Sequence, residues 1–342
     1  TYFLPGRATI EAKGREFYDL LTAPTGRVRP KTTAKVGQEL SAMILGQVAD
    51  QLGQKRLLIV GDGILQYIPF STLPDPAVTP NSNRSEPKGE FAPYMQPLLV
   101  DHEVVKLLSA SAMVELRQNK SSRPTPTKEL AVFADPVFNY EDKRVNQAAP
   151  ARSKRQTHTI LSKPVEPIYN ALPGTIQEVK QISQFVAPDQ RSQFLGFDAN
   201  YETALSDTLK QYRRIHFATH GFFNVKAPEQ SGIVLSAIRK NGELQRGSIT
   251  PAATLSMDLS AADLVVLSGC RTGLSGELIR EGLTGLTGGL MAAGAERVVV
   301  SLWSVNDEAT EKLMTLFYQN MYKNKLSSNL SPAQALRAAQ LS

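Results

Sequence analysis

His220 is followed by glycine and stands just past the apolar run Arg214-Ile215-His216-Phe217-Ala218-Thr219. Cys270, the only cysteine in the chain, stands just past Leu264-Val265-Val266-Leu267, within Ser268-Gly269-Cys270-Arg271-Thr272-Gly273. A thiol and an imidazole can form a nucleophile without a third partner, because a thiol is far easier to deprotonate than a hydroxyl. The chemistry open to them is acyl transfer. The sulfur attacks a carbonyl and the imidazole hands a proton to the leaving amine. Gly269 and Gly273 let the cysteine loop fold tightly, with main-chain N–H groups that can face an oxyanion. A helix beginning just after the loop would favour thiolate. Each residue also has a plainer reading. A lone cysteine is often a small buried hydrophobe, and a histidine in a strand is often a satisfied core residue. That second reading suits His216, mid-strand and on the face that period-two alternation gives His220.

The elements that would position the pair can be read from apolar runs bounded by turn residues. Strands are expected at Arg56–Val60, Pro97–Val100, Leu130–Ala134, Arg214–Thr219, Leu264–Ser268 and Val298–Leu302. Helical spacing runs over Val36–Leu52, Thr175–Phe185 and Glu308–Lys323, with Thr175 as N-cap and Glu178 three residues on as its capping-box partner. Alternating strands and helices imply an α/β fold with a mostly parallel sheet, covered by helices on both faces. Ligands of such sheets bind beyond the carboxyl ends of the strands, where both His220 and Cys270 fall.

The spacing of the two residues raises the case for chemistry. They are fifty apart, the separation of a caspase-type histidine from its downstream cysteine, although Cys-Arg-Thr-Gly matches the local signature only loosely. A third strand end carries Ser301-Leu302-Trp303-Ser304-Val305-Asn306-Asp307, which includes the only tryptophan. An extended peptide could add to this segment through main-chain hydrogen bonds. Trp303 could wall a side-chain pocket and Asp307 could sit at its base, selecting a basic side chain. Equally, Trp303 could be core and Asp307 could cap the helix that follows. Ser268 has no Gly-x-Ser-x-Gly elbow around it, which argues against a serine hydrolase. The glycines of 282–289 lie in a helical pattern with no Lys-Ser/Thr after them, which argues against a phosphate loop.

Composition narrows the classes further. The chain has 342 residues, 42% of them hydrophobic and 20% charged, as expected of a globular protein. It has no apolar run of about 18 residues, so no membrane span is expected. One cysteine permits no intramolecular disulfide and no multi-thiolate metal site, and suits a reducing compartment such as the cytoplasm. The formal charge of +6 falls largely in the stretch Lys143–Lys163, and no nucleic-acid-binding pattern accompanies it. No nucleic-acid partner, metal or cofactor is expected. Pro74–Pro93 and Asn139–Pro167 are rich in proline, polar residues and charge and read as long surface segments. They suggest an N-terminal α/β part over 1–138, a flexible linker over 139–167 and a catalytic part over 168–342. Arg144 and Arg155 in the linker are candidate points of self-processing. The chain begins Thr1-Tyr2-Phe3 with no initiator Met, no basic start and no apolar signal core, which points to a fragment or processed form.

An ordered set of motifs resembles the CHAT-domain peptidases, caspase-like proteins related to separases, common in bacteria and often fused to TPR repeats. The set is Ile215–Gly221, Asp263–Gly273, Glu281–Leu286, Ala292–Ala295, Val299–Thr310 and Ala333–Gln340, with Leu57–Phe70 in the N-terminal part. The resemblance implies a caspase-like fold whose 1–138 part is a pseudo-peptidase half. It implies a cysteine endopeptidase with Cys270 as nucleophile, His220 as base and the backbone N–H groups of Gly221 and Cys270 holding the oxyanion. It implies substrate contacts from Asp307, Trp303, Ser301 and Ser268, and a cut after Arg or Lys. The partners implied are a protein or peptide substrate and an activating partner or TPR region outside this chain. The roles implied are regulatory, signalling or defence proteolysis. The rival reading is a catalytically silent module that keeps the fold and binds partners. The family usually has Ser-Ala-Cys where this chain has Ser-Gly-Cys, and usually continues to a further strand past the last helix.

Overall fold

The computed structural model describes residues 2–23, 30–78, 96–146, 169, 172–222, 229, 231–269, 279–302, 307–322 and 330–342. The chain forms two compact units, Thr1–Asn119 with Leu330–Ser342, and Lys120–Asn329.

In the first unit the helices Arg7–Thr22 and Pro30–Leu45 pack together, with Phe17 of the first and Leu40 of the second both fully buried. Gly37 allows this approach, since a Cβ there would lie 2.9 Å from the Phe17 ring. The helix expected over Val36–Leu52 ends early at Leu45 and resumes, after a 3-10 turn, as Ala49–Leu52. Gly46 stands at the break, where a residue of low helix propensity offers little to continue the helix. Strands β1 (Leu57–Ile59) and β2 (Val104–Lys106) form a two-stranded parallel sheet. The strand expected at Pro97–Val100 is instead a 3-10 turn, Leu98–Val100, closed by a bond from the Val100 N–H to the Pro97 carbonyl. An apolar run of four residues does not distinguish the two, and burying Leu98 needs only the turn. The buried His102 ring faces the Lys55 carbonyl at 2.9 Å and the Asp75 carboxylate at 3.3 Å. The last helix, Pro332–Gln340, opens with a Ser331/Gln334 capping box, and Arg337 donates to the carbonyls of Leu99 and Val100.

The second unit is built on a five-stranded sheet. Its strands are β3 (Lys128–Ala134), β4 (Arg191–Leu195), β5 (Tyr212–Ala218), β9 (Leu264–Leu267) and β10 (Val298–Val300). Their order is β10-β9-β5-β3-β4 and every pairing is parallel, in keeping with the expected α/β class. One face carries Ala131, Phe133, Ile215, Phe217, Val265 and Leu267 against Leu286 and Leu290 of the helix Ile279–Ala292. The other face is covered by Pro173–Ser183 and Asp307–Tyr322. A small antiparallel sheet, β6 (Gly221–Phe222), β7 (Gly232–Val234) and β8 (Ser248–Ile249), follows β5 directly.

The Thr175 cap expectation is corrected. The helix begins at Pro173, as proline's fixed φ favours, with Leu172 as N-cap. Thr175 lies inside the first turn and returns its hydroxyl proton to the Leu172 carbonyl. Glu178 is therefore not a capping-box partner; it is buried and bound elsewhere, as described below. Residues 79–95 and 147–168, which cover most of the two polar segments, lie outside the described residues, as does Arg155.

Candidate active site

β5 ends at Ala218 and the chain passes through Thr219 and His220 straight into β6. His220 thus stands where the parallel sheet gives way to the antiparallel one. Its backbone is fixed from β7. The Val234 N–H donates to the His220 carbonyl at 2.8 Å, and Thr219 Oγ1 donates to the Val234 carbonyl at 2.7 Å. The residue is 1% exposed. Its ring lies 5.2 Å from that of Phe138 and 5.3 Å from that of Tyr169, centroid to centroid.

The end of β9 meets the end of β5 closely. The Ser268 N–H donates to the Phe217 carbonyl at 3.1 Å and the Gly221 N–H to the Gly269 carbonyl at 2.8 Å. A Cβ on Gly269 would stand 2.3 Å from the Thr219 carbonyl oxygen, so the approach requires glycine. The two strands pair with Arg214 opposite Leu264 and Phe217 opposite Leu267, an offset of fifty residues. His220 and Cys270 are separated by the same fifty. Cys270 itself lies outside the described residues, and so do Trp303 and the side chain of Asp307. The backbone of Asp307 opens the helix Asp307–Tyr322. Ser268 is buried, and its hydroxyl has no hydrogen-bond partner among the described residues. Ser301 is half-buried just past β10.

His216 is the core residue its mid-strand place suggests. It is fully buried, with Nε2 2.9 Å from Glu178 Oε1 and Nδ1 3.0 Å from the Tyr318 hydroxyl. Burial holds the Tyr318 phenol well above its ordinary pKa, so it stays a neutral donor. A phenol donating to Nδ1 leaves the Nε2 proton facing the carboxylate. This ties β5 to both helices that cover that face of the sheet, Pro173–Ser183 through Glu178 and Asp307–Tyr322 through Tyr318.

At the carboxyl end of β3, Asp135 takes φ +52, a left-handed conformation uncommon outside glycine. Arg144 bridges it to Asp142, with 2.6 Å contacts to each carboxylate. Burial raises the Asp135 carboxyl, opposed by Arg144, while hydrogen bonding from Arg144 lowers Asp142. The Arg144 side chain is thus engaged in this structure.

Two residues beside His220 escaped the sequence reading. Phe138 follows the carboxyl end of β3, and the strand-end rule applied to His220 would have found it. Tyr169 lies on the far side of the long polar segment, and no sequence signal placed it here. Among the described residues no group of three or more His, Cys, Asp or Glu is placed to hold a metal ion. No described helix is long and apolar enough to cross a membrane.

A family model, that of the CHAT domain, matches residues 34–342. The chain is also similar to tetratricopeptide repeat protein 28 of Mus musculus and of Homo sapiens. It is 24% identical to each over 373 aligned residues, which take in 100% of this chain and 13% of each relative. The chain therefore spans only about 13% of the length of the curated relatives it matches.

Proposed function

Because the chain belongs to the CHAT domain family, we propose that it is a cysteine endopeptidase with Cys270 as nucleophile and His220 as base. Family membership makes the chain caspase-like and peptidase-related; the cut and the residues that make it are the proposal. The observation that carries it is the β5–β9 register. Neighbouring parallel strands are offset by the same fifty residues that separate the two reactive groups, one on each strand's exit. The Gly269 carbonyl, which forms the peptide bond to Cys270, lies 2.8 Å from the amide nitrogen next to His220.

In the proposed reaction Cys270 Sγ attacks the scissile carbonyl. The oxyanion is held by the N–H groups of Cys270 and of Gly221, the latter on leaving its bond to the Gly269 carbonyl, at about 3 kcal/mol per well-placed donor. The C–N bond breaks as His220 delivers a proton to the leaving amine, and water then hydrolyses the thioester. Asp307 selects Arg or Lys before the cut, with Trp303, Ser301 and Ser268 along the substrate path. The substrate is a protein or peptide, with an activating partner or a tetratricopeptide-repeat region outside this chain; the relatives' name supports the latter. A free thiol nucleophile suits work in the reducing cytoplasm.

The test is a panel of fluorogenic peptides that varies the residue before the cut, applied to the wild type, Cys270→Ala and His220→Ala. Cleavage after Arg or Lys, lost in both variants, is expected. Cleavage that survives in Cys270→Ala would remove the thiol from the mechanism. A Cys270→Ala protein that retains its whole biological effect would favour the silent interaction module.

A further inference from the structure

The direction of a side chain is set by the two peptide planes that flank its Cα. The plane after His220 is held at both ends, its carbonyl by the Val234 N–H at 2.8 Å and its N–H, that of Gly221, by the Gly269 carbonyl at 2.8 Å. The plane before it, Thr219–His220, has its carbonyl against the Cα of Gly269, so closely that a Cβ there would lie 2.3 Å from the oxygen. The residue that carries this carbonyl is fixed by its own side chain. Thr219 is buried, and its Oγ1 donates to the Val234 carbonyl at 2.7 Å. Val234 of β7 therefore grips two consecutive residues, His220 through its N–H and Thr219 through its carbonyl. A β-branched side chain suits this grip, because its χ1 is stiff. The backbone so anchored is the point where the parallel sheet passes into the antiparallel one.

These contacts are not equivalent once the site works. The proposed reaction turns the Gly221 N–H from the Gly269 carbonyl to the oxyanion. That N–H and the His220 carbonyl belong to one rigid peptide plane, so the turn that frees the first also loosens the bond from Val234 to the second. The Thr219 hydroxyl bond lies one residue earlier and does not depend on that plane. We propose that Thr219 is a positioning residue: its hydroxyl, bound to the Val234 carbonyl, holds the His220 backbone in place while the oxyanion donor moves. The base must stay within about 3 Å of the proton it handles, and a displacement of about 1 Å costs about a hundredfold in rate. The proposal rests on the peptidase reading for its kinetic consequence, while the effect of the hydroxyl on the His220 ring is measurable without it.

The test compares the wild type with Thr219→Val, which keeps the shape but removes the donor, and Thr219→Ser, which keeps the donor. Thr219→Ala takes the place of Thr219→Val should the valine unfold the protein. Hydrolysis of the Arg and Lys peptides gives kcat and KM. NMR of isotope-labelled histidine follows the ring signals, that of His220 being identified by its absence in His220→Ala. Thr219→Val is expected to lose kcat at least tenfold with KM within about twofold, and to displace the His220 signal. His216 should keep its signal as the mark of an intact fold. Thr219→Ser should stay within about threefold of the wild-type kcat, with the His220 signal in place. A kcat kept in Thr219→Val overturns the proposal, as does an equal loss in Thr219→Ser or a loss confined to KM. Absence of hydrolysis in every protein counts against the peptidase reading, and the NMR then decides alone. A His220 signal displaced in Thr219→Val and restored in Thr219→Ser keeps the positioning role; one unmoved in Thr219→Val overturns it.

Discussion

The N–H of Gly221 donates to the carbonyl of Gly269 at 2.8 Å, joining the exits of β5 and β9. This bond extends the contact of the two strands past the last paired residues, Phe217 and Leu267. It brings the peptide beside His220 to the peptide that leads into Cys270. Gly269 makes the contact possible because its neighbour is the main chain of Thr219, which cannot turn aside as a flexible side chain could.

Gly269→Ala is therefore expected to destabilise the second unit. A Cβ 2.3 Å from the Thr219 oxygen must push the backbone apart, at a cost of about 1–3 kcal/mol typical of overpacking. A thermal melt checks it. An unchanged melting temperature would mean that the strand exits separate without loss.

His216→Leu removes the partner of a buried carboxylate. Glu178 would be left in the interior without its 2.9 Å bond to Nε2, and leaving a buried group unsatisfied in this way costs about 1–3 kcal/mol, more for a charged one. Glu178→Gln keeps a hydrogen-bonding oxygen at the same place and should cost clearly less. Urea unfolding of both variants and the double mutant measures the coupling. A His216→Leu cost below about 1 kcal/mol would show that Glu178 finds another partner.

Arg144→Met should destabilise by about 1–3 kcal/mol near pH 7, since Asp135 then keeps its burial but loses its counter-charge. The sign with pH follows from the carboxyl. Burial already raises Asp135 in the folded protein, and losing Arg144 raises it further. An acid whose folded pKa exceeds its unfolded one binds its proton more tightly when folded, so acidification relieves the penalty. The loss of Arg144 also removes the bond that lowers Asp142, whose stabilising contribution fades as pH falls through its folded pKa. Both effects shrink the difference between variant and wild type in acid. Unfolding curves at neutral pH and below about pH 4, where Asp142 also starts to take up its proton, test this, and a gap that widens in acid would contradict it.

Arg337→Ala removes two charge-assisted bonds from the last helix to the Leu99 and Val100 carbonyls. Each such bond contributes about 1.5–3 kcal/mol. Amide exchange in the helix Pro332–Gln340 should quicken by more than tenfold. Exchange as slow as in the wild type would place the helix's anchorage in Ala335 and Ala339, which are buried.

Much of this protein can be read from local pattern. The α/β class, β3, β5, β9 and β10, and the helix Asp307–Tyr322 follow from apolar runs and helical spacing, because burial of one face imposes those periods on the sequence. The core role of His216 followed from its place inside a run, and the candidacy of His220 from its place at the end of one. The tertiary structure decided what the one-dimensional pattern does not encode. Pro97–Val100 became a turn, because four apolar residues can be buried in either form. Glu178 became the partner of a histidine 38 residues away rather than of its own helix end, because the low-dielectric interior rewards that pairing more than an exposed cap does. Phe138 and Tyr169 came to lie beside the His220 ring from two separate parts of the chain, a neighbourhood that no local period in the sequence encodes. The offset of fifty between β5 and β9 joins the two levels: a spacing visible in the sequence acquires its meaning only from two strands lying side by side.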